Sequence, residues 1–260
     1  MSIKGKSLHL LTPMYGGVNT VNYFDAFQKL VIAVQKYGIP FWYSNIWNES
    51  LVTRARNKLA DTYLKEGEAT HAVYIDADIG FDADELLSML EREDEDIIVA
   101  PCSKKSVRWD RVQRMIRKNP GREYTGEELR RAGGDLVFNF EAFEGERTWD
   151  LQKMWDLRNG GTGIMMIRRG VFEKFKQEYP DRWYEPRSDD TVLPGPIHDF
   201  FRAGINPDTR EYDSEDYCFC IDCKRIGFSV RLCPWVRTTH MGSNLFYGDL
   251  PAVSKLAGEL

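Results

Sequence analysis

Asp-x-Asp occurs three times within 21 residues, at Asp76/Asp78, Asp82/Asp84 and Asp94/Asp96. Two carboxylates held that close repel one another unless a cation lies between them, and all-oxygen ligation suits Mg²⁺ or Mn²⁺. Context separates the three pairs. Asp82 reads as a helix N-cap with Glu85 three residues on. Asp94/Asp96 fall in the charged run Glu91-Arg92-Glu93-Asp94-Glu95-Asp96, which reads as a solvated loop. Only Asp76/Asp78 follow an apolar strand, His71-Ala72-Val73-Tyr74-Ile75, so only they are expected at a sheet edge where ligands bind. The plainer reading of this pair is surface acids after a strand.

Other chemical motifs are missing or do not converge. There is no Gly-x-Gly-x-x-Gly after the first strand and no Gly-x-x-x-x-Gly-Lys-Ser/Thr, which argues against a nicotinamide dehydrogenase and a P-loop enzyme. Cys218, Cys220, Cys223 and Cys233 suggest zinc by count, but positions 218 and 220 point to nearly opposite sides of a helix, so buried thiols are expected.

The elements that must position the acids alternate regularly through the first hundred residues. Leu8 to Leu11 form a strand ending at Thr12-Pro13. A helix follows with Phe24, Phe27, Val31 and Val34 on one face and Gly38 as its stop. Phe41-Trp42-Tyr43 is a second strand, and Leu51, Ala55, Leu59 and Tyr63 form the stripe of a second helix. The third strand enters Asp76, a short helix runs through Leu86, Leu87 and Leu90, and Ile97 to Ala100 is a strand closed by Pro101. Alternation of this kind predicts an α/β fold: a mainly parallel central sheet covered by helices on both faces, with its ligand site at the carboxyl ends of the strands. The second half is less regular. It contains a basic helix near Val107 to Lys118, strands at Leu136 to Phe138 and Ile164 to Ile167, and a helix from Val171 to Glu178. A Pro/Gly/Asp-rich stretch runs from Tyr179 to Pro207. It precedes a helix near Tyr217 to Ile226 and strands at Phe228 to Leu232 and Trp235 to Thr239.

With 260 residues and 42% hydrophobic content the chain fits one compact enzyme-sized domain, 1–260, with a nucleotide-type half at 1–101 and an elaborated half at 102–260. No apolar run approaches the roughly 18 residues of a membrane span, so no anchor is expected. Five cysteines point to free thiols and a cytoplasmic setting, the host's cytoplasm if the source is viral. The formal charge of −5 hides two opposed segments: ten acids and one arginine from Asp76 to Asp96, then ten Lys/Arg and four acids from Ser103 to Arg131.

The strand-Asp-Ala-Asp-Ile-Gly-Phe sequence is preceded by Thr53-Arg54-Ala55-Arg56-Asn57 and followed by Pro101-Cys102-Ser103-Lys104-Lys105. Downstream come Gly161-Thr162-Gly163 before an apolar strand, Ser214-Glu215-Asp216-Tyr217, and His240-Met241-Gly242. In that order these motifs resemble the GT-A (Rossmann-like) nucleotide-sugar glycosyltransferases, of the compact kind found in bacteriophages and other large DNA viruses. The usual aromatic-Pro before the paired lysines is Cys102-Ser103 here. The resemblance implies a metal-dependent hexosyl- or pentosyltransferase using a nucleotide-sugar, a UDP-sugar by expectation. Mn²⁺ or Mg²⁺ would be held by Asp76, Asp78 and His240. Thr12, Pro13, Met14, Tyr15, Arg56, Asn57, Asp76, Ala77 and Gly242 would surround the donor. Asp216, with Glu215, would take the acceptor's proton, a single displacement that inverts the anomeric centre. The plainer reading of Glu215-Asp216 is acids in a first helical turn behind the N-cap Ser214.

Lys104, Lys105, Trp109, Gly161, Thr162 and Gly163 are the expected acceptor-side residues. The basic strip, with Trp109 for stacking, suits a phosphate backbone, which makes a hydroxymethylated base in double-stranded viral DNA one acceptor and a glycan, protein or small molecule the other. Two rival readings stand beside glycosyl transfer: a haloacid-dehalogenase-like phosphatase, which also places Asp-x-Asp after an apolar strand, and a nucleic-acid-binding module built on the basic helix.

Overall fold

A computed structural model describes residues 3–92, 94–141, 150–187 and 194–243. Its strands are β1 (Leu8–Pro13), β2 (Phe41–Ile46), β3 (His71–Ile75), β4 (Ile79–Phe81), β5 (Ile97–Val99), β6 (Ser103–Val107), β7 (Gly134–Leu136), β8 (Phe138–Phe140), β9 (Trp155–Gly160), β10 (Ile164–Arg168), β11 (Trp183–Tyr184), β12 (Ile197–His198), β13 (Gly204–Ile205), β14 (Tyr212–Asp213), β15 (Val230–Leu232) and β16 (Thr238–His240). The helices are α1 (Val21–Tyr37), α2 (Val52–Glu66), α3 (Ala83–Ser88), α4 (Trp109–Lys118), α5 (Gly126–Ala132), α6 (Arg169–Glu178) and α7 (Glu215–Arg225). Part of the Tyr179 to Pro207 stretch lies outside the described residues.

The main sheet has the order β2-β1-β3-β10-β5-β15-β9-β8. β1 pairs in parallel with β2 and β3, and β5 with β15. The expectation of a mainly parallel sheet holds for these strands. β10 departs from it, running antiparallel between β3 and β5, and β9 runs against β15 and β8. An apolar run such as Ile164 to Ile167 signals burial on both faces but carries no sign of direction. Alternate residues serve two cores. Leu8, Leu10, Val73, Ile75, Ile98, Ile164 and Met166 join residues of α1 and α3, while Leu11, Tyr74, Ile97, Val99, Met165 and Ile167 join residues of α2, α6 and α7. Helices therefore cover both faces, as expected.

Several local expectations shift. The buried face of α1 is Tyr23, Ala26, Leu30, Ala33 and Val34, whereas Phe24 is exposed, because the small Ala26 and Ala33 are what let the helix approach the sheet. Its stop is as read: Gly38 adopts φ 65°, and its N–H donates to the Gln35 and Val34 carbonyls. In α2, Ala55, Leu59 and Tyr63 are buried, but Leu51 is exposed just ahead of the helix. The Leu136 to Phe138 strand is two strands, β7 pairing with β6 and β8 with β9. Asp82 caps α3 through Glu85 N–H at 3.0 Å, as read. Asp96 is not a solvated loop acid, since Oδ2 accepts from Ser229 N (3.0 Å) and Oγ (3.1 Å) and so clips the start of β5 to the segment leading into β15. All five cysteines are buried free thiols.

The base of α7 is fixed by Asp222, which has no exposed surface and receives Arg182 (2.6 Å), Arg202 (3.1 Å) and Arg225 (3.3 Å). A buried carboxylate needs such partners, and here they tie α7 to Arg182 and Arg202.

Three of the four histidines belong to the cores. His9, His71 and His198 are each under a tenth exposed, and burial lowers each to about 4. A depressed folded value means that the neutral ring stabilises the fold above the unfolded value of 6.5 and that this contribution is lost as pH falls towards 4. Each histidine accounts for on the order of 3 kcal/mol at full loss. Thermal unfolding followed from pH 7 to pH 4 is expected to show a midpoint that drops steeply across that window; a flat midpoint would contradict the neutral-core assignment.

Candidate active site

The fourth histidine, His240, lies where β1, β2 and β3 end. A cleft of about 520 Å³ opens there, its floor and walls drawn from Pro13 and Met14, Ile46 and Glu49, Arg56, and the loop Asp76-Ala77-Asp78, closed on one side by Lys105 and His240. The Asp-x-Asp loop is pinned from three directions. Asp76 N–H donates to the Gly163 carbonyl (3.2 Å), Thr20 N–H to the Ala77 carbonyl (3.0 Å), and Met241 N–H to the Asp78 carbonyl (3.0 Å). Asn22 Nδ2 donates both to the Asp78 carbonyl (3.2 Å) and to Thr239 Oγ1 (3.1 Å), joining the start of α1 to the end of the chain's last described strand. That strand, β16, pairs with β4 so that His240 stands opposite Ile79.

This pairing brings His240 to Asp78, with Nε2 3.2 Å from Oδ1. His240 Nδ1 faces the Ser103 carbonyl at 2.6 Å, and a carbonyl only accepts, so Nδ1 carries a proton. In the neutral ring the Nε2 lone pair then faces a carboxylate oxygen, an arrangement that calls for a proton or a metal ion between them. The hydrogen bond to Asp78 raises the imidazole above its ordinary value, against partial desolvation. Burial works to raise the Asp78 carboxyl, but hydrogen bonds from His240 and Lys105 outweigh it and hold it below its usual value. Lys105 Nζ is 2.5 Å from Asp78 Oδ2. Its stem reaches there by crossing Gly242, where a Cβ would lie 2.6 Å from Lys105 Cδ. Gly242 thus makes room for Lys105. Lys105, expected on the acceptor side, lines this same cleft.

Asp76 is directed elsewhere. Its Oδ1 accepts from Arg56 Nη2 (2.9 Å), and Arg56 Nε donates to Glu215 Oε1 (3.1 Å). Arg56 is 3% exposed; burial alone would lower its affinity for a proton, but the surrounding carboxylates Asp76, Glu215 and Asp216 reverse this and raise it. Its Nη1 is buried with no hydrogen-bond partner among the described residues. The backbone of the same residue is held by Tyr74, whose hydroxyl donates to the Arg56 carbonyl at 2.8 Å.

Glu215 and Asp216 open α7 as expected, but Ser214 does not cap the helix with its side chain. Its hydroxyl donates instead to Asp216 Oδ1, which also accepts from Tyr217 N (2.9 Å), while Oδ2 accepts from Thr162 N (3.2 Å). Burial, then the neighbouring Glu215 charge, raises the Asp216 carboxyl above its ordinary value. Gly161-Thr162-Gly163 links the two acid sets through the Gly163 carbonyl and the Thr162 N–H. Gly161 lies against Asp216, where a Cβ would be 3.5 Å from Oδ2, and Gly163 lies against Cys102, where a Cβ would be 2.8 Å from Sγ. Thr162 Oγ1 is buried without a partner among the described residues.

Two expected donor residues face away. Thr12 is buried and its Oγ1 shares a hydrogen bond with Tyr23 OH (2.7 Å), because successive strand residues alternate faces and Pro13 takes the cleft side. Asn57, one residue past Arg56 and so about 100° around the helix, donates to Asp199 (2.6 Å) and accepts from Phe201 N (2.8 Å). Met14 and Tyr15 line the cleft, Tyr15 being largely exposed. Of the expected acceptor-side residues, Trp109 is exposed at the start of α4, and Lys104 reaches Asp135 at 3.6 Å. The basic strip is partly neutralised by its own acids: Arg108 and Arg114 pair with Asp110, Arg122 with Glu128 and Arg131 with Glu127.

Whether these groups suit a divalent cation can be judged from their charge and tautomer. Asp76, Asp78, Glu215 and Asp216 gather around the cationic side chains Arg56 and Lys105, and His240 offers Nε2 towards Asp78. Acid oxygens in excess and an imidazole fixed through Nδ1 fit Mn²⁺ or Mg²⁺. Among the described residues no three His, Cys, Asp or Glu side chains stand at ligating distance together. Glu49, Asn22 and Tyr74 were not signalled by any motif; Asn22, two residues after Thr20 at a helix start, reads from sequence as ordinary capping.

No family model matches the chain and no curated protein does. Among solved structures it is similar to A197 from STIV, at 12% identity over 92% of this chain and 86% of that one, with a TM-score of 0.48. It is also similar to a glycosyltransferase involved in glycosylation of the major capsid of PBCV-1 (10% identity, 68% and 66% covered, TM-score 0.33) and to S. aureus TarS (11%, 87% and 57%, 0.35). Identities and scores of this size assign no residue a role.

Proposed function

We propose that the chain is a metal-dependent glycosyltransferase of the GT-A kind, moving a sugar from a nucleotide-sugar, by preference a UDP-sugar, to an acceptor hydroxyl with inversion. One observation carries the reading. A cleft large enough for a nucleotide lies at the carboxyl ends of three parallel strands, and Arg56 on its lining joins Asp76 of the Asp-x-Asp loop to Glu215 of a second acid pair. Asp78 and His240, with Asp76, would hold the cation, which when bound neutralises charge on the leaving diphosphate. Pro13, Met14, Tyr15 and Ala77 form the wall against which the nucleoside packs. Asp216, whose desolvated carboxylate has a raised affinity for a proton, takes the proton of the acceptor hydroxyl.

The phosphatase reading needs a free carboxylate nucleophile in the first Asp, and Asp76 is held by a buried guanidinium. For the acceptor we retain a hydroxymethylated base in viral DNA, approached by Lys104, Trp109, Arg117 and Lys118, with a glycan or small molecule as the alternative. The test incubates the protein and Mn²⁺ with a panel of UDP-sugars and a generic phosphoester, with and without hydroxymethylcytosine DNA. UDP release with a matching gain in base mass is the expected result. UDP release alone would remove the DNA acceptor, and phosphate release from the phosphoester without UDP release would replace the transfer reading.

A further inference from the structure

We infer that Arg56 is a positioning residue that sets the acid pair of α7 against the Asp-x-Asp loop, with Glu215 as its counter-ion, so that Asp216 alone is left to act on the acceptor. The inference rests on the transfer reading above and deepens it. Arg56 comes from α2, Asp76 from the end of β3 and Glu215 from the first turn of α7, three elements separated by 20 and 159 positions along the chain and joined at one guanidinium. The guanidinium uses two of its nitrogens, Nη2 to Asp76 and Nε to Glu215, at 2.9 and 3.1 Å. A planar fork fixes the angle between two carboxylates, which a lysine ammonium does not.

Stability does not account for this arrangement. Burying a guanidinium whose Nη1 has no partner among the described residues is costly, and an apolar side chain against the Tyr74 ring would avoid that cost. The two members of the acid pair are also treated differently. Glu215 spends its Oε1 on Arg56, whereas Asp216 is held by neutral donors, the N–H of Thr162, the N–H of Tyr217 and the hydroxyl of Ser214. Neutral donors orient a carboxylate without tying it to a cation. The backbone bond from Asp76 to Gly163, next to the Thr162 that orients Asp216, closes the loop between the two acid sets.

The experiment measures kcat, donor KM and the unfolding midpoint for wild type, Arg56→Lys, Arg56→Gln, Glu215→Gln and the Arg56→Gln/Glu215→Gln double variant. Arg56→Lys is expected to lower kcat about 100-fold while donor KM moves less than about threefold, as for a residue that orients reacting groups. The double variant should lose no more than about threefold beyond Arg56→Gln, because the two side chains act as one unit. Retention of wild-type kcat in Arg56→Lys, a rise in KM with kcat intact, or losses that multiply in the double variant would each overturn the inference. Wild type that turns over no nucleotide-sugar would instead remove the transfer reading. The unfolding midpoints then still report whether the bridge exists, since Glu215→Gln should restore part of what Arg56→Gln loses, and additive midpoints would deny the bridge itself.

Discussion

Replacing Asp216 by Asn is expected to lower kcat by about 10³-fold without lowering the unfolding midpoint. The two halves of this result have one cause. Burial and the adjacent Glu215 charge raise the Asp216 carboxyl above its ordinary value, so the ionised form costs the folded protein stability at pH 7. An asparagine keeps an oxygen for the Tyr217 N–H and the Ser214 hydroxyl, which share Oδ1, and gives up the Thr162 N–H bond to Oδ2 while removing that charge, so loss and relief offset. It cannot take a proton. Wild-type kcat/KM should fall as pH drops through the raised value of Asp216, and the residual rate of the variant should be flat across the same range. Measurement of kcat/KM against pH together with thermal unfolding decides the matter. A variant that keeps more than about a tenth of the rate would move the base elsewhere, with Glu215 the first alternative.

How far such a prediction could be made without coordinates differs from residue to residue. Asp76, Asp78, Glu215, Asp216 and His240 stand out in the sequence because each follows a strand or opens a helix, and backbone periodicity places strand ends and helix starts well. The same periodicity puts Thr12 and Asn57 beside Pro13 and Arg56 but does not say which neighbour faces the cleft; each is turned to the core by one step of strand or helix. Lys105 was legible as a cation near the site, yet not as a partner of Asp78. That contact depends on β16 pairing with β4 and on the missing side chain of Gly242, separated from Lys105 by more than a hundred positions. The antiparallel insertion of β10 is similar, because it places Gly163 over Cys102 and Asp76 through pairing that no local pattern encodes.

That long-range contact sets up the second large effect. Lys105 places a positive charge 2.5 Å from one Asp78 oxygen while His240 approaches the other, so a divalent cation must compete with the ammonium for Asp78. Asp78→Ala is expected to abolish detectable Mn²⁺ binding and donor turnover together. Lys105→Met should tighten Mn²⁺ by about tenfold, since removing a like charge a few Å from a half-exposed site is worth on the order of 1 kcal/mol. The opposite signs distinguish a true cation site from general damage, because both substitutions remove one partner of the same ion pair and would destabilise alike if that pair were only structural. Titration of Mn²⁺ by calorimetry or by its paramagnetic signal, with no donor present, reads the effect independently of turnover. Weaker Mn²⁺ binding in Lys105→Met would make the lysine a helper of the cation rather than its competitor, and unchanged binding in Asp78→Ala would remove the Asp-x-Asp loop from the metal assignment altogether.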